Sequence, residues 1–436
     1  MMIRLKPILC CLCLGLFVSN VAAQTEEENQ LTIDAQLKAR GEIRRGGYRE
    51  TTEGDVEGKG SFVFSRTRLT VDYQKPGLEL KVTAQHAGVW GQANKGTFNV
   101  YEAFALLKSK QGLFAKIGRQ ELSYDDERII GSDDWTMAAA SHDVLKVGYE
   151  GHGHQAHILL GYNQNGENTN GGSFYEDGAQ PYKTMHTLWY HYDMPRFPLG
   201  ASLLFMNIGT QYGNDDATGK TLYQQLIGGY IKFHPNHWNI EGSYYRQMGH
   251  DDQNAELDAW MASVKAQFTP NDLYNVEGGF DYLSGDPYFA VPQPGETGLT
   301  YHAKLQGFSP LYGSHHKFYG AMDFFYVSTY VSGFSPGLQN LYIGGNFKPM
   351  TGLELGATYH YLATASQLKN IRRTLGHEIE LTASYDITKD VKLSAGYSLM
   401  LGTDAMTRLK RAGNDNDLHW AWLTLLVSPN IFTAKW

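Results

Sequence analysis

From residue 31 onward the chain alternates apolar and polar side chains one for one. Leu31, Ile33, Ala35, Leu37 and Ala39 interleave with Thr32, Asp34, Gln36, Lys38 and Arg40. A strand points successive side chains to opposite faces, so this segment has one apolar and one strongly polar face. The same comb returns in Leu78/Leu80/Val82/Ala84, Ala156/Ile158/Leu160/Tyr162, Trp260/Ala262/Val264/Ala266/Phe268, Leu353/Leu355/Ala357/Tyr359, Ile379/Leu381/Ala383/Tyr385 and Val391/Leu393/Ala395/Tyr397. Charge rarely enters the apolar positions, and after residue 23 no apolar run approaches the roughly 18 that a membrane helix needs.

The pattern predicts eighteen strands, near 30–44, 60–74, 77–90, 97–109, 111–122, 142–150, 153–163, 183–193, 198–210, 220–234, 236–250, 253–268, 271–283, 337–348, 351–363, 374–386, 389–401 and 416–428. Every second connection is short, as in Gln74-Lys75-Pro76-Gly77, Ser109-Lys110-Gln111-Gly112 and His234-Pro235-Asn236-His237. The others are mostly longer and polar, among them 45–59, 123–141, 164–182, 402–415 and the 53 residues of 284–336. A soluble sandwich also alternates, but it has no reason to place short turns at one end and long loops at the other along the whole chain. The expected class is therefore all-β: a transmembrane, antiparallel, up-and-down β-barrel of 18 strands, with short periplasmic turns and long extracellular loops. An even strand count puts both termini in the periplasm. Phe62, Phe64, Tyr73, Tyr149, Trp238, Phe268, Tyr274, Tyr361, Trp420 and Trp422 lie near strand ends, where an interfacial aromatic girdle belongs.

Residues 1–23 read as a secretory signal, with Arg4 and Lys6 before the apolar run Ile8–Val18 and a small-residue cleavage site at Val21-Ala22-Ala23. The mature barrel then occupies 24–436, and the expected location is the outer membrane of a Gram-negative cell. Eleven apolar residues are too few to anchor the chain as a helix. All three cysteines, Cys10, Cys11 and Cys13, fall inside the signal, so the mature chain has no disulfide or cysteine metal site. Composition excludes a disordered chain: 42% of residues are apolar and 13% aromatic. Asp and Glu number 45 against 37 Lys and Arg, which leaves no basic field for nucleic acid.

One run invites comparison. Gly118-Arg119-Gln120-Glu121-Leu122-Ser123-Tyr124-Asp125-Asp126-Glu127-Arg128-Ile129-Ile130-Gly131, followed by Asp134-Trp135 and His142-Asp143, resembles the signature of the alginate export family of outer-membrane β-barrel porins. So do Leu311-Tyr312 and His316-Lys317-Phe318-Tyr319-Gly320 with Asp323-Phe324-Phe325. Gly313 stands where that family usually has Pro, and no Arg precedes the later Asp region at Ala140-Ser141-His142. The resemblance implies an 18-stranded barrel with an arginine-rich lumen that exports acidic polysaccharide, and with it periplasmic export or uptake partners.

Independently of that resemblance, the inward-phased charges of the first three strands are Lys38, Arg40, Arg44, Arg66, Arg68 and Lys81 against Asp34, Glu42, Asp72 and Glu79, a net basic wall. Lys116 and Lys146 continue it. Arg119 and Arg128 join at the rim, Arg119 only with the help of a bulge or loop because it is out of phase with Lys116. Guanidinium forks suit carboxylates. Glu277, Asp281, Glu354, Glu378 and Glu380 are inward and acidic, balanced only by His360, so the lumen is expected to be polarised across its width. The alternative is that these charges merely pair with one another along a hydrated wall.

The leading expectation is a channel for acidic polysaccharide or oligosaccharide; the alternative is a diffusion porin for small polar or anionic solutes. Both make the outer-membrane bilayer and an acidic or polar saccharide solute the partners. A barrel hydrolase is the distant third, since no nucleophile, metal or nucleotide motif appears, and neither enzyme activity nor a cofactor is expected. His152 and His154 sit in a tight turn without supporting carboxylates. The 53-residue connection 284–336 is too long for a hairpin and too aromatic for a loose tail. It is expected to pack into the barrel mouth, with His316, Lys317 and Asp323 facing and narrowing the lumen.

Overall fold

The computed structural model describes residues 28–46, 59–92, 96–167, 169, 174–175, 178–213, 219–286, 304–325, 335–367, 371–410 and 417–436. The expected signal lies outside them. The strands are β1 (Gln30–Arg45), β2 (Lys59–Lys75), β3 (Leu78–Val89), β4 (Thr97–Lys108), β5 (Leu113–Gln120), β6 (His142–Gly151), β7 (His154–Tyr162), β8 (Thr184–Asp193), β9 (Leu199–Tyr212) and β10 (Lys220–Phe233). They continue as β11 (Trp238–His250), β12 (Glu256–Phe268), β13 (Tyr274–Leu283), the two-residue β14 (Lys304–Leu305), β15 (Leu338–Met350), β16 (Leu353–Ala363), β17 (Thr374–Thr388), β18 (Val391–Gly402), β19 (Asp417–Val427) and β20 (Asn430–Lys435).

Each wall strand pairs antiparallel with its sequence neighbours, and β1 closes the sheet by pairing with β2 on one side and with β19 and β20 on the other. The result is a closed antiparallel barrel of 18 wall positions. It has 18 rather than 20 because β14 is a short parallel addition beside Glu256 and Leu257, and because β20 continues β19 along β1. The last strand therefore does not stop near Val427. Pro429, which has no N–H to give, interrupts it, the register shifts at Ile33/Asp34, and pairing resumes to Gln30 opposite Lys435.

Leu37, Ile43, Leu69, Val71, Val82, Ile117, Leu203, Leu341 and Ile343 are exposed on the outside, as the apolar comb requires. Phe64, Trp420 and Trp422 are not girdle residues. They are in phase with Arg66 and Arg44 and turn inward, where Phe64 and Trp420 are buried. The inside is also not uniformly polar. Val144, Leu159, Met185, Leu204, Met206, Leu226 and Met261 face inward from β6 to β12 and, with apolar residues of two loops, form a core within the barrel. A lumen wall of that kind is stable only when covered. Helix α1 (Asp404–Lys410) closes over part of the same core through Met406 and Leu409.

Candidate functional site

Two connections supply the cover. The first follows β5 (121–141), and the second contains the described stretch 304–325. They join each other by a parallel bridge between Ile130 and Tyr312, with Gly131 N donating to Tyr312 O at 2.9 Å and Tyr312 N to Ile129 O at 3.0 Å. Ser314 donates to Glu127 at 2.9 Å, Lys317 is ion-paired with Glu127, and His316 stacks flat on Trp135 at 3.8 Å between ring centres. Seven of the ten positive-φ non-glycine residues among those described lie in these loops: Asp125, Glu127, Asp133, Ala139, Leu311, Tyr319 and Asp323. Such conformations are costly and persist only when the surroundings hold them, as docking on both walls does here.

On the basic wall, the loop carboxylate of Asp134 meets Arg66 Nη2 at 2.8 Å, Arg68 Nη1 at 3.2 Å and Lys38 Nζ at 3.3 Å. Arg40 Nη1 donates to Trp135 O at 3.1 Å, and its guanidinium lies 3.9 Å over the Trp135 ring. Gln85 donates to Ala138 O at 2.9 Å. Burial opposes ionisation of Asp134, but Lys38, Arg66 and Arg68 outweigh it and hold the carboxyl below its usual range. Beside it, burial and the Asp323 carboxylate push Asp133 up to about 6.

On the acidic wall the polarity reverses. Arg128, buried, lies 3.1 Å from both Asp126 and Asp281, receives the Phe318 ring at 4.1 Å and donates to Tyr319 Oη at 3.0 Å. Asp281 accepts from Asn340 (2.9 Å), Asn340 contacts His360 (2.8 Å), and His360 reaches Glu380 (3.2 Å). Glu380 takes the Ala321 amide, and Glu378 takes the Met322 amide at 2.8 Å. One polar chain thus runs through the wall from the first loop to the second. Gly320 precedes those amides with φ +94°, and a Cβ there would collide with the Glu378 carboxylate. Between the two walls, Asp125 accepts from Trp189 at 3.1 Å, and Gln247 exchanges two hydrogen bonds with the Ser309 backbone.

The expected basic residues therefore have different fates. Arg40 and Arg44 share Glu42 at 2.8 and 2.9 Å, Lys81 pairs with Glu102 at 2.6 Å, and Lys38, Arg66 and Arg68 converge on Asp134. Lys116 and Lys146 stand directly opposite each other on β5 and β6. Neither has an ion-pair partner among the described residues; Lys116 lies over the Phe104 ring at 3.6 Å and Lys146 over Tyr124 at 5.2 Å. Arg119 does not line the lumen. It shares the outward phase of Ile117 and grips Asp143 with two bonds of 2.8 and 2.7 Å, because no bulge in β5 turns it inward. Asp323 does not face the lumen either. It is buried and accepts from His316 at 2.9 Å, while Lys317 is the exposed member of the expected trio. The acidic wall is not unbalanced: Arg128, backbone amides and His360 satisfy Asp281, Glu378 and Glu380, Lys265 sits 3.8 Å from Glu277, and Lys348 3.7 Å from Glu354. The first loop was missed as a constriction, although its apolar Ile129, Ile130 and Trp135 were a signal of the same kind as the aromatics of the second.

Between the loops and the wall of β10 to β12 lies a cavity of about 260 Å³, bordered by Asp126, Lys317 and Phe318 on one side and Lys232, Glu241 and Lys265 on the other. The sequence matches no described protein family and no curated protein. Solved structures do match. OccK9 (OpdG) of Pseudomonas aeruginosa superposes with TM-score 0.61 and 13% identity, covering 92% of this chain and 98% of that one. The fold is that of the outer-membrane porins. A BenF-like porin from Pseudomonas fluorescens Pf-5 gives 0.60 at 10% identity over 92% and 99% of the two chains. OccK2 (OpdF) of P. aeruginosa, solved in complex with glucuronate, gives 0.55 at 14% over 92% and 98%. The alginate-export resemblance gains no support from any of these comparisons.

Proposed function

We propose that this chain is an outer-membrane channel, targeted by its N-terminal signal, that admits small polar solutes and favours those carrying a carboxylate. The observation that carries this reading is the facing pair Lys116 and Lys146. Like charges opposite each other across a ladder destabilise a sheet, and neither lysine makes an ion pair among the described residues, so an anion passing along the wall is a suitable partner for both. By register the inward cations step from Arg44 at the long-loop end through Lys38, Arg66, Arg68 and Lys81 to Lys116 near a short turn, a sloping track along which an anion is handed down.

Size argues against the polysaccharide reading. Two loops bonded to each other and to both walls occupy part of the lumen, which suits a small solute better than a polymer. A polymer needs a continuous bore, and the export partners expected for one drop out with it. Glucuronate, which the OccK2 (OpdF) crystals contain, is a solute of suitable size and charge. Swelling of liposomes carrying the purified chain should be faster in glucuronate than in glucose, and absent for long alginate chains. Equal rates for acid and neutral sugar, or passage of the polymer, would overturn the reading.

A further inference from the structure

The Asp134 cradle holds more than a structural ion pair needs. Three cations surround one carboxylate; two of them, Arg66 and Arg68, are also held by other side chains, and Lys38 additionally donates to the Asp134 backbone carbonyl at 2.6 Å. Arg66 also donates to Gln36 at 2.8 Å, and Arg68 donates to Gln85 at 2.7 Å while stacking on Tyr101 at 3.7 Å. Arg66 Nε and Arg68 Nη2 have no hydrogen-bond partner among the described residues. The cations are nearly enclosed, at 1–12% side-chain exposure, whereas Asp134 is 49% exposed. The partner that can leave is thus the loop carboxylate, which reaches water while its three donors hardly do. Its departure would not undock the loop. Trp135 O on Arg40, Ala138 O on Gln85, Asp125 on Trp189 and Arg128 on Asp281 all hold without it.

We propose that Asp134 is a tethered occupant of the channel's own carboxylate site, and that a carboxylate solute crosses the constriction by displacing it from Lys38, Arg66 and Arg68. The site takes a carboxylate in either state, one covalently attached and the other in transit. Exchange keeps one carboxylate on the donors throughout, since one replaces another there. Chloride offers a single point in place of two oxygens, and a neutral sugar offers no charge, so both substitute poorly. The device also limits residence: an uncovered cluster of three cations would hold an anion too long to conduct it, and the returning Asp134 side chain expels the solute. This inference rests on the carboxylate-channel reading and adds to it the group that solutes must compete with.

The test is chloride current through single channels of the full chain in a planar bilayer, with glucuronate added on one side. Wild type should show brief blocks. In Asp134→Asn, which keeps the side-chain size and removes the competitor, the blocks should last at least tenfold longer, and anion over cation permeability should rise. Asp134→Glu, which retains a carboxylate on the tether, should stay within about threefold of wild type, and it serves as the second variant if the Asn form does not insert; blocks as long as those expected of the Asn form would overturn the proposal. Unchanged blocks in Asp134→Asn, while Arg68→Gln shortens them, would also overturn it and leave the channel reading intact. No effect of Arg68→Gln and Arg66→Gln on the blocks would likewise overturn the proposal, whereas Lys116→Glu with Lys146→Glu leaving both block and selectivity unchanged would refute the channel reading itself.

Discussion

Arg128 is the test of whether the two loops form a docked partition. Its guanidinium lies 3.1 Å from Asp281, and the two side chains are 4% and 2% exposed. Replacement by Met keeps length and apolar contact with Phe318 but leaves the Asp281 carboxylate enclosed without a cation among the described residues, with Asn340 still donating to it. Breaking a buried pair by removing one partner typically costs about 3–5 kcal/mol. The barrel ladder does not pass through Arg128, so the cost falls on loop docking. At about 1.4 kcal/mol per power of ten, the undocked population should rise by roughly two to three and a half powers of ten. Heat-modified migration of the barrel on gels should be unchanged, while protease cleavage between Ser123 and Ala140 accelerates and single-channel current becomes noisier and larger. Pairing the change with Asp281→Asn removes the orphaned charge and should recover most of the loss, because a neutral amide can still bond Asn340. Cleavage and conductance of Arg128→Met within about twofold of wild type would refute the docking argument. A double variant no better than the single one would refute the assignment to Asp281.

Three further outcomes are expected. Lys116→Glu with Lys146→Glu should shift the reversal potential toward cations, with an effect that shrinks from 0.01 M to 1 M salt as the Debye length falls from about 30 Å to about 3 Å. Because Asp133 is pushed up to about 6, the docked loop binds a proton that the free loop, with an ordinary carboxyl, does not bind near pH 5. Docking is therefore favoured as pH falls through 6 and weakened as it rises; loop cleavage should be slower at pH 5 than at pH 7, and Asp133→Asn, facing the same Asp323 and His316, should flatten the difference. An epitope inserted at Asp252-Gln253, in the turn of the long-loop end, should be labelled on intact cells, and one at Pro235-Asn236 should not; the reverse would invert the orientation.

The wall was legible because its physics is local. Alternation with a period of two, and Pro, Gly or Asn at most of the short junctions, locate each strand to within a few residues, and the errors have local causes. Strand β13 starts at Tyr274, not near 271, because the Asn271 side chain captures the amides of Leu273 and Tyr274 in a turn. Sequence reading finds the constriction only in 284–336, whose length and aromatic content stand out, and not in the shorter 121–141, whose Ile129, Ile130 and Trp135 carry the same signal more thinly. Position near a strand end misplaced Trp420, whose indole donates to Glu42 at 3.0 Å inside the barrel, since an aromatic there fits either face. Partners for the inward charges were illegible for a stronger reason: Asp134 and Lys38 are 96 residues apart, and Arg128 and Asp281 still further, so no window of sequence contains both.

That separation explains why a charge count over the strands misled about the acidic wall. A closed barrel must balance its inward charges with neighbours, water or inserted chain, and here the inserted chain carries the complementary sign to each side. Asp134 goes to the basic wall, and Arg128 and two backbone amides go to the acidic one. The polarity of the wall therefore orients the loops before it meets any solute, and Lys116 and Lys146 are cations that no loop carboxylate pairs with among the described residues. Two kinds of coupling follow. Charge changes at Arg66 and Asp134 should be strongly non-additive because they share one contact, whereas changes at Lys146 and Asp281, which share none, should add within about 0.5 kcal/mol. If Lys146 proved as tightly coupled to Asp134 as Arg66, the distinction between cations that hold a loop carboxylate and cations that do not would be wrong.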